Sequence, residues 1–242
     1  MIKAVATDVD GTLTLRRGDV RISYSAIKGV RLLESRGIKV ILVSGNSLPV
    51  TAALKVYIGS SGPVVAENGC VVFHEGRTIH VCEGAVPEEL RREVERMGFR
   101  PSWQNDYRFH DAAYYPPRGV GEGELEGLIE AVRKAAASYG VSVLWSGYAL
   151  HLNMGSGKVA GLREAIRAIG VDASELAAIG DGENDLDMLG FAAVSACPAD
   201  AAEAVRRSVD YVARSPGGRG FLEFARAVLS GEVEGLKGKR SR

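Results

Sequence analysis

The sequence predicts an α/β protein: a doubly wound parallel sheet with a smaller α+β unit inserted into it. Three observations lead there. Short apolar runs alternate with helix-spaced apolar stripes at both ends of the chain. Between residues 84 and 152 that alternation gives way to helix, two strands, helix, two strands. Acidic and hydroxyl residues follow directly on several of the apolar runs, at the sheet edge where open α/β folds place their ligands.

In chain order, Ile2 to Ala6 reads as a buried strand running into the turn Asp8-Val9-Asp10-Gly11. Ser23 is a candidate N-cap for a helix over 23–36, striped by Ile27, Val30 and Leu33 and stopped by Gly37. Ile38 to Val43 is a second buried strand ending in Ser44-Gly45-Asn46, and a helix follows from Pro49 to Tyr57. Pro63 to Ala66 is a third strand, ending in Glu67-Asn68-Gly69. Val71 to Phe73 and Thr78 to Val81 form a hairpin about Glu75-Gly76.

In the inserted unit, helices are expected over 87–97, striped by Leu90, Val94 and Met97, and over 122–139, striped by Leu125, Leu128, Ile129 and Val132. Strands are expected at 99–103, 108–115, 141–146 and 148–154. The first pattern then resumes. A helix striped by Val159, Leu162, Ile166 and Ile169 leads to a strand, Leu176 to Ile179, which ends in Gly180-Asp181-Gly182-Glu183-Asn184-Asp185. Helix Leu186 to Leu189, strand Ala192 to Ser195, helix 200–207, strand Tyr211-Val212 and helix 220–229 complete the pattern. The expected division is a core of 1–83 and 153–231, an inserted unit of 84–152 and a flexible basic tail over 232–242.

Composition narrows the functional classes. Thirty basic and thirty acidic residues cancel, so no overall basic field favours nucleic acid. No apolar run approaches the roughly 18 residues of a membrane helix. The first strand carries the Asp pair and so is not a cleaved leader. A cytoplasmic protein, monomeric or homodimeric, is expected. Arg outnumbers Lys, 22 to 8, and Gln104 is the single glutamine, a bias that hints at a thermophile. The three cysteines have no zinc-like spacing. Cys70 and Cys82 flank the hairpin and could pair across it, but the expectation is that they are buried free thiols.

The chemistry gathers at strand ends. On an extended backbone residues i and i+2 point the same way, so Asp8 and Asp10 can converge on one point. Two anions that close require a cation, a proton or donors between them, and magnesium suits hard oxygen ligands. The plain alternative is a polar turn with a capping Asp. A calcium loop fails, because Arg16 and Asp19 stand where it needs an oxygen ligand and a Glu. Asp181 and Asp185 could add further ligands, Ser44 and the N–H groups after Gly45 could hold a phosphoryl oxygen, and Lys158 would add positive charge. Alone, each has an ordinary reading as a helix cap or a surface lysine. Met154-Gly155-Ser156-Gly157-Lys158 echoes a phosphate loop, but Leu152 and Val159 break that motif. Gly180-Asp181-Gly182 lacks the third glycine of a dinucleotide site.

Taken together, Asp8-Val9-Asp10-Gly11-Thr12-Leu13, Ser44-Gly45, Lys158 and Gly180-Asp181-Gly182-Glu183-Asn184-Asp185 resemble, in order, the four motifs of the haloacid dehalogenase-like (HAD) phosphatases. The insertion after the second motif resembles the Cof-like branch with a type-two cap, and the short cap is most similar to that of archaeal phosphoglycolate phosphatases. The resemblance implies a Rossmann-like core and a magnesium-dependent phosphomonoester hydrolase acting on a small phosphorylated metabolite, foremost 2-phosphoglycolate. A sugar-phosphate phosphatase of the same branch and, less directly, a phosphomutase are the alternatives. It implies Asp8 as nucleophile and Asp10 as acid and base. Magnesium would be held by Asp8, the Asp10 carbonyl, Asp181 and Asp185. Ser44, Gly45, Lys158, Thr12 and Asn184 would serve as phosphate or substrate ligands.

The cap is expected to set the substrate. On strand 148–154, Ala149, His151 and Asn153 share one face. On 108–115, Arg108, His110, Ala112 and Tyr114 share a face, which makes Arg108 and His110 candidates for pairing with a substrate carboxylate.

Overall fold

The computed structural model describes residues 1–155 and 157–236. Among the described residues, twelve strands form two sheets. Strands β1 (Ala4–Thr7), β2 (Lys39–Val43), β3 (Val64–Ala66), β4 (Val71–His74), β5 (Arg77–His80), β10 (Leu176–Ile179), β11 (Val194–Cys197) and β12 (Tyr211–Val212) make an eight-stranded sheet in the order β12-β11-β10-β1-β2-β3-β4-β5. Pairing is parallel from β12 to β3, and the hairpin β4–β5 closes the other edge antiparallel. Strands β6 (Arg100–Pro101), β7 (Asp111–Tyr115), β8 (Ser142–Trp145) and β9 (Leu150–Asn153) make a separate antiparallel sheet, ordered β6-β7-β9-β8.

Helices cover both faces of the large sheet, which is why its central strands are apolar throughout. On one face, Val5, Val40, Leu42 and Ile179 pack against α1 (Tyr24–Glu34) and α8 (Gly217–Ser230) through Val30, Leu33, Phe221 and Phe224. On the other, Ala6, Ile41, Val43 and Ala178 meet α5 (Lys158–Ala168), α6 (Leu186–Phe191) and α7 (Glu203–Ser208) through Leu162, Ala165, Met188 and Val205. Helix α2 (Leu48–Ile58) connects β2 to β3. The small sheet buries Ala112, Tyr114, Leu150 and Leu152 beneath α3 (Glu88–Arg96) and α4 (Glu122–Ala137), a core of its own.

Local signals behave as their chemistry dictates. Ser23 caps α1, accepting from Ser25 N at 3.2 Å. Glu75 and Gly76 both take positive φ, +48° and +77°, as a two-residue hairpin turn requires.

Four expectations need correction. The strand expected at 99–103 is only Arg100–Pro101, because the Ser102 side chain caps a 3-10 turn over Trp103–Tyr107. The strand expected at 108–115 begins at Asp111. The tail expected from 232 is packed over its first five residues. There Glu232–Leu236 form a 3-10 turn, Val233 is buried, and Glu234 Oε1 accepts from Ile2 N at 2.9 Å. The rest of that tail, 237–242, lies outside the described residues. Cys70 and Cys82 are not free thiols but a disulfide, with Cα atoms 4.8 Å apart. The hairpin sets them opposite each other, for Val81 N and Cys82 N both donate to Cys70 O. Cys197 is free and buried.

Candidate active site

Because β1 and β10 are parallel neighbours with Thr7 opposite Ile179, the turns that follow them leave the sheet side by side. Asp8 N donates to Ile179 O at 3.0 Å, which brings Asp8 next to the 180–185 turn. Carboxylate oxygens of Asp8, Asp181 and Asp185 lie within 4.8 Å of one another, all three residues buried, and the group could hold a metal ion. The strand ends at Thr7, so Asp8 and Asp10 sit in the turn that follows it, and both line one cleft. The Asp10 side chain is outside the three-carboxylate group.

Backbone donors and glycines hold this group in place. Asp185 Oδ2 accepts from the N–H groups of Asp181 and Gly182 at 3.0 and 2.9 Å. Gly11 has φ +89°, and a Cβ there would lie 2.4 Å from Asp181 Cγ, so only glycine lets the first turn approach the second.

Lys158 opens α5. Asp187 Oδ2 accepts from Val159 N at 3.0 Å and so satisfies a free donor of the helix start. The Lys158 ammonium is buried and reaches both Asp8 Oδ1 and Asp185 Oδ1 at 2.5 Å. Burial alone would lower its pKa, but attraction to Asp185 and Asp8 outweighs that and holds it well above the ordinary lysine range. Burial raises the Asp8 pKa; Lys158 opposes the shift, while Asp185, Asp181 and Asp10 add to it. Asp181 is pushed up to about 7 by burial and by Asp185, even with Arg17 Nε 3.3 Å from its Oδ2. Three buried carboxylates thus face two cations, Lys158 and Arg17.

At the end of β2, buried Ser44 accepts through Oγ from Asn46 N and from Asn46 Nδ2, both at 3.0 Å. Asn46 Nδ2 also donates to Asp10 Oδ2 at 2.7 Å. Asp10 opens onto the cleft, yet the protein around it displaces enough water to raise its carboxyl, with the Asn46 hydrogen bond acting the other way.

The small sheet roofs this site, and a cleft of about 670 Å³ lies between. Asp8, Asp10, Ser44, Gly45, Lys158, Asp181 and Asn184 line its floor; Gln104, Arg108, Tyr115, Tyr148 and His151 line its roof. Thr12 is fully buried and donates to Asp181 Oδ1 at 3.3 Å, bracing a carboxylate rather than facing the cleft.

The roof meets the floor through a buried polar network centred on Asp111. Its carboxylate accepts from Arg108 Nη1 at 3.0 Å, Asn68 Nδ2 at 2.9 Å and Asn153 Nδ2 at 3.2 Å, and lies 3.1 Å from His151 Nδ1. Burial would raise Asp111, but His151 and Arg108 outweigh it and hold the carboxyl down at about 2. Arg108 Nη1 also donates to Gly45 O at 2.9 Å, tying the roof to the second motif.

His151 and Asn153 face the cleft side as the alternation predicts, opposite Leu150 and Leu152. The same expectation for 108–115 needs correction. Ala112 and Tyr114 point into the small core, and Asp111 is the strand residue turned toward the floor. Arg108 reaches the cleft only because the strand starts after it. His110 does not line the cleft; its ring lies 2.5 Å from Gly84 O and 2.8 Å from His80 Nδ1.

Sequence reasoning missed Asn68, Asp111, Gln104 and Arg17. Asn68 lies two residues past the end of β3, so the strand-end rule that picked Ser44 could have found it. Gln104 and Arg17 sit in turns, where no periodicity marks them, and Asp111 lies on the face of β7 opposite the one expected to meet the cleft.

A family model for haloacid dehalogenase-like hydrolases matches residues 5–92 and 121–224. A phosphoglycolate phosphatase from Aeropyrum pernix is 46% identical over 95% of this chain and 95% of its own length. One from Sulfolobus acidocaldarius is 38% identical over 96% and 99%. The crystal structure of Thermoplasma acidophilum 0175 is similar with a TM-score of 0.80 and 31% identity, covering 93% of this chain and 97% of that one. With the motifs, their order and nearly the full length matched, the chain belongs to the haloacid dehalogenase-like hydrolases.

Proposed function

We propose that this protein hydrolyses 2-phosphoglycolate to glycolate and phosphate, through phosphorylation of Asp8. The observation that carries the reading is the buried ammonium of Lys158 bridging Asp8 and Asp185 at the floor of an open cleft. The substrate comes from the relatives, which are named phosphoglycolate phosphatases. On this reading residues 1–83 and 153–231 are the catalytic core and 84–152 the substrate-selecting cap.

The donor set fits a hard divalent cation. Three carboxylates crowd within 4.8 Å, and Asp181 is raised to about 7 by burial and by Asp185, which an added positive charge would oppose. Asp8, Asp181, Asp185 and the Asp10 carbonyl would hold magnesium, which when bound neutralises charge on the phosphoryl oxygens.

The chain's own groups carry the transfer. A carboxylate oxygen of Asp8 attacks phosphorus, and the bond to the glycolate oxygen breaks. Asp10 gives that leaving oxygen a proton, then takes one from the water that attacks the aspartyl-phosphate. Phosphate departs and Asp8 is restored. Lys158 offsets the repulsion between the attacking carboxylate and the phosphate dianion. Ser44, with the N–H groups that follow it, holds a phosphoryl oxygen.

The test is phosphate release from 2-phosphoglycolate, other small esters and sugar phosphates, with magnesium and after exhaustive chelation. 2-Phosphoglycolate should have the highest kcat/KM, and chelation should remove activity. Release that survives chelation, or a sugar phosphate turned over best, would overturn the respective part of the reading.

A further inference from the structure

We propose that Gln104 is a positioning residue for the reaction: reaching from the roof, it fixes the orientation of the Asn46 amide and so aims the Asp10 carboxylate at the leaving oxygen. This rests on the reading of Asp10 as the acid. The two ends of a side-chain amide have nearly the same shape, so its orientation is decided by its hydrogen-bond partners. Here one partner leaves no choice. Ser47 N–H can only donate, and it meets Gln104 at 2.8 Å, so that atom is Oε1. The other end of Gln104, Nε2, must then donate, and it meets Asn46 at 2.8 Å, so that atom is Oδ1. Asn46 is thereby left with Nδ2 toward Asp10 Oδ2 at 2.7 Å and Ser44 Oγ at 3.0 Å. One backbone N–H sets a chain of donors that ends on the catalytic acid.

Gln104 is firmly mounted. Its N–H donates to Ser102 Oγ at 3.3 Å. Next to it, Asn105 grips Ala113 of β7 on both sides, accepting from its N at 2.8 Å and donating to its O at 3.0 Å. The Asp10 carboxylate, by contrast, faces the open cleft, and Asn46 is the hydrogen-bond donor that holds it. Without Gln104, Asn46 Oδ1 loses the donor that anchors it, the amide can swing away from Asp10, and the acid loses its direction.

Leaving-group dependence tests this. The alkoxide of glycolate needs a proton to leave; the nitrophenolate of p-nitrophenyl phosphate does not. Values of kcat/KM report the step that breaks the ester bond. Gln104→Ala should lower kcat/KM for 2-phosphoglycolate about tenfold or more and that for p-nitrophenyl phosphate by about threefold at most, as the loss of an oriented acid predicts. Gln104→Glu keeps the size and still accepts from Ser47 N–H, but cannot donate to Asn46; its selective loss should match or exceed that of Gln104→Ala. Asp10→Asn is the reference. If Asp10→Asn is selective for the alkyl ester and the Gln104 variants are not, this proposal fails alone. If Asp10→Asn affects both esters alike, the acid assignment fails and this proposal with it. A rise in KM with unchanged leaving-group dependence would make Gln104 a substrate contact and overturn the positioning role.

Discussion

The ammonium of Lys158 lies 2.5 Å from the carboxylate of Asp8, although 150 positions of chain separate them. The first parallel strand delivers one group, and the helix that follows the inserted unit delivers the other. Both are buried, so the pair works in a medium that strengthens their attraction; Lys158 also pairs with Asp185, so losing Asp8 leaves the ammonium a partner, while losing Lys158 strands both carboxylates.

Asp8→Asn should abolish phosphate release and leave the fold intact. Because the pKa of Asp8 is raised, its charged form burdens the native state, and the metal-free variant should melt at the same temperature as the parent or higher. Lys158→Met should behave in the opposite way. It strands the carboxylates and should cost about 3–5 kcal/mol, as breaking a buried ion pair does. Thermal melts of both variants after chelation, beside activity assays, check the pair.

Arg108 has a nearly buried side chain lining the cleft, and its Nε has no hydrogen-bond partner among the described residues. Arg108→Ala should raise KM for 2-phosphoglycolate by about 10- to 100-fold, the worth of a charged hydrogen bond. Turnover of ethyl phosphate, which has no carboxylate, should barely change. Equal losses on both substrates would remove Arg108 from carboxylate recognition.

Acid should loosen the contact between roof and floor. Asp111 is held down at about 2 from an ordinary 3.8, so its ionised form stabilises the folded protein above pH 4 and that contribution is lost as pH falls toward 2. The shift corresponds to roughly 2 kcal/mol. Urea unfolding at pH 5, 4 and 3 should show a shallower loss of stability in Asp111→Asn than in the parent.

Thiol titration of denatured, unreduced protein should find one reactive thiol, Cys197, and three after reduction. Replacing Cys70 and Cys82 by alanine opens a loop with a sequence separation of 12 and should lower unfolding stability by about 3 kcal/mol.

Much of the core was legible because its signals are local. A strand buried on both faces must be short and apolar, and the residue that ends it must turn, so Asp8, Ser44 and Asp181 could be picked from the order of residue types alone. The roof was less legible. The cleft face of 108–115 was chosen from Arg108 and His110, which precede the strand; inside it Ala112 and Tyr114 put the even-numbered face against the small core and leave Asp111 on the other. That is why Asp111 went unnoticed and His110 was given a place in the cleft.

By itself the sequence determined the element order, the parallel core and the acidic, hydroxyl and lysine groups at its strand ends, because periodicity and turn chemistry act over a few residues. Tertiary structure alone decided that Cys70 bonds Cys82, that Asp111 gathers Asn68, Asn153, Arg108 and His151, and that Gln104 lies against Asn46 and Ser47. Each of these joins side chains whose direction depends on how one sheet is set against the other, and no spacing along a single segment encodes that direction.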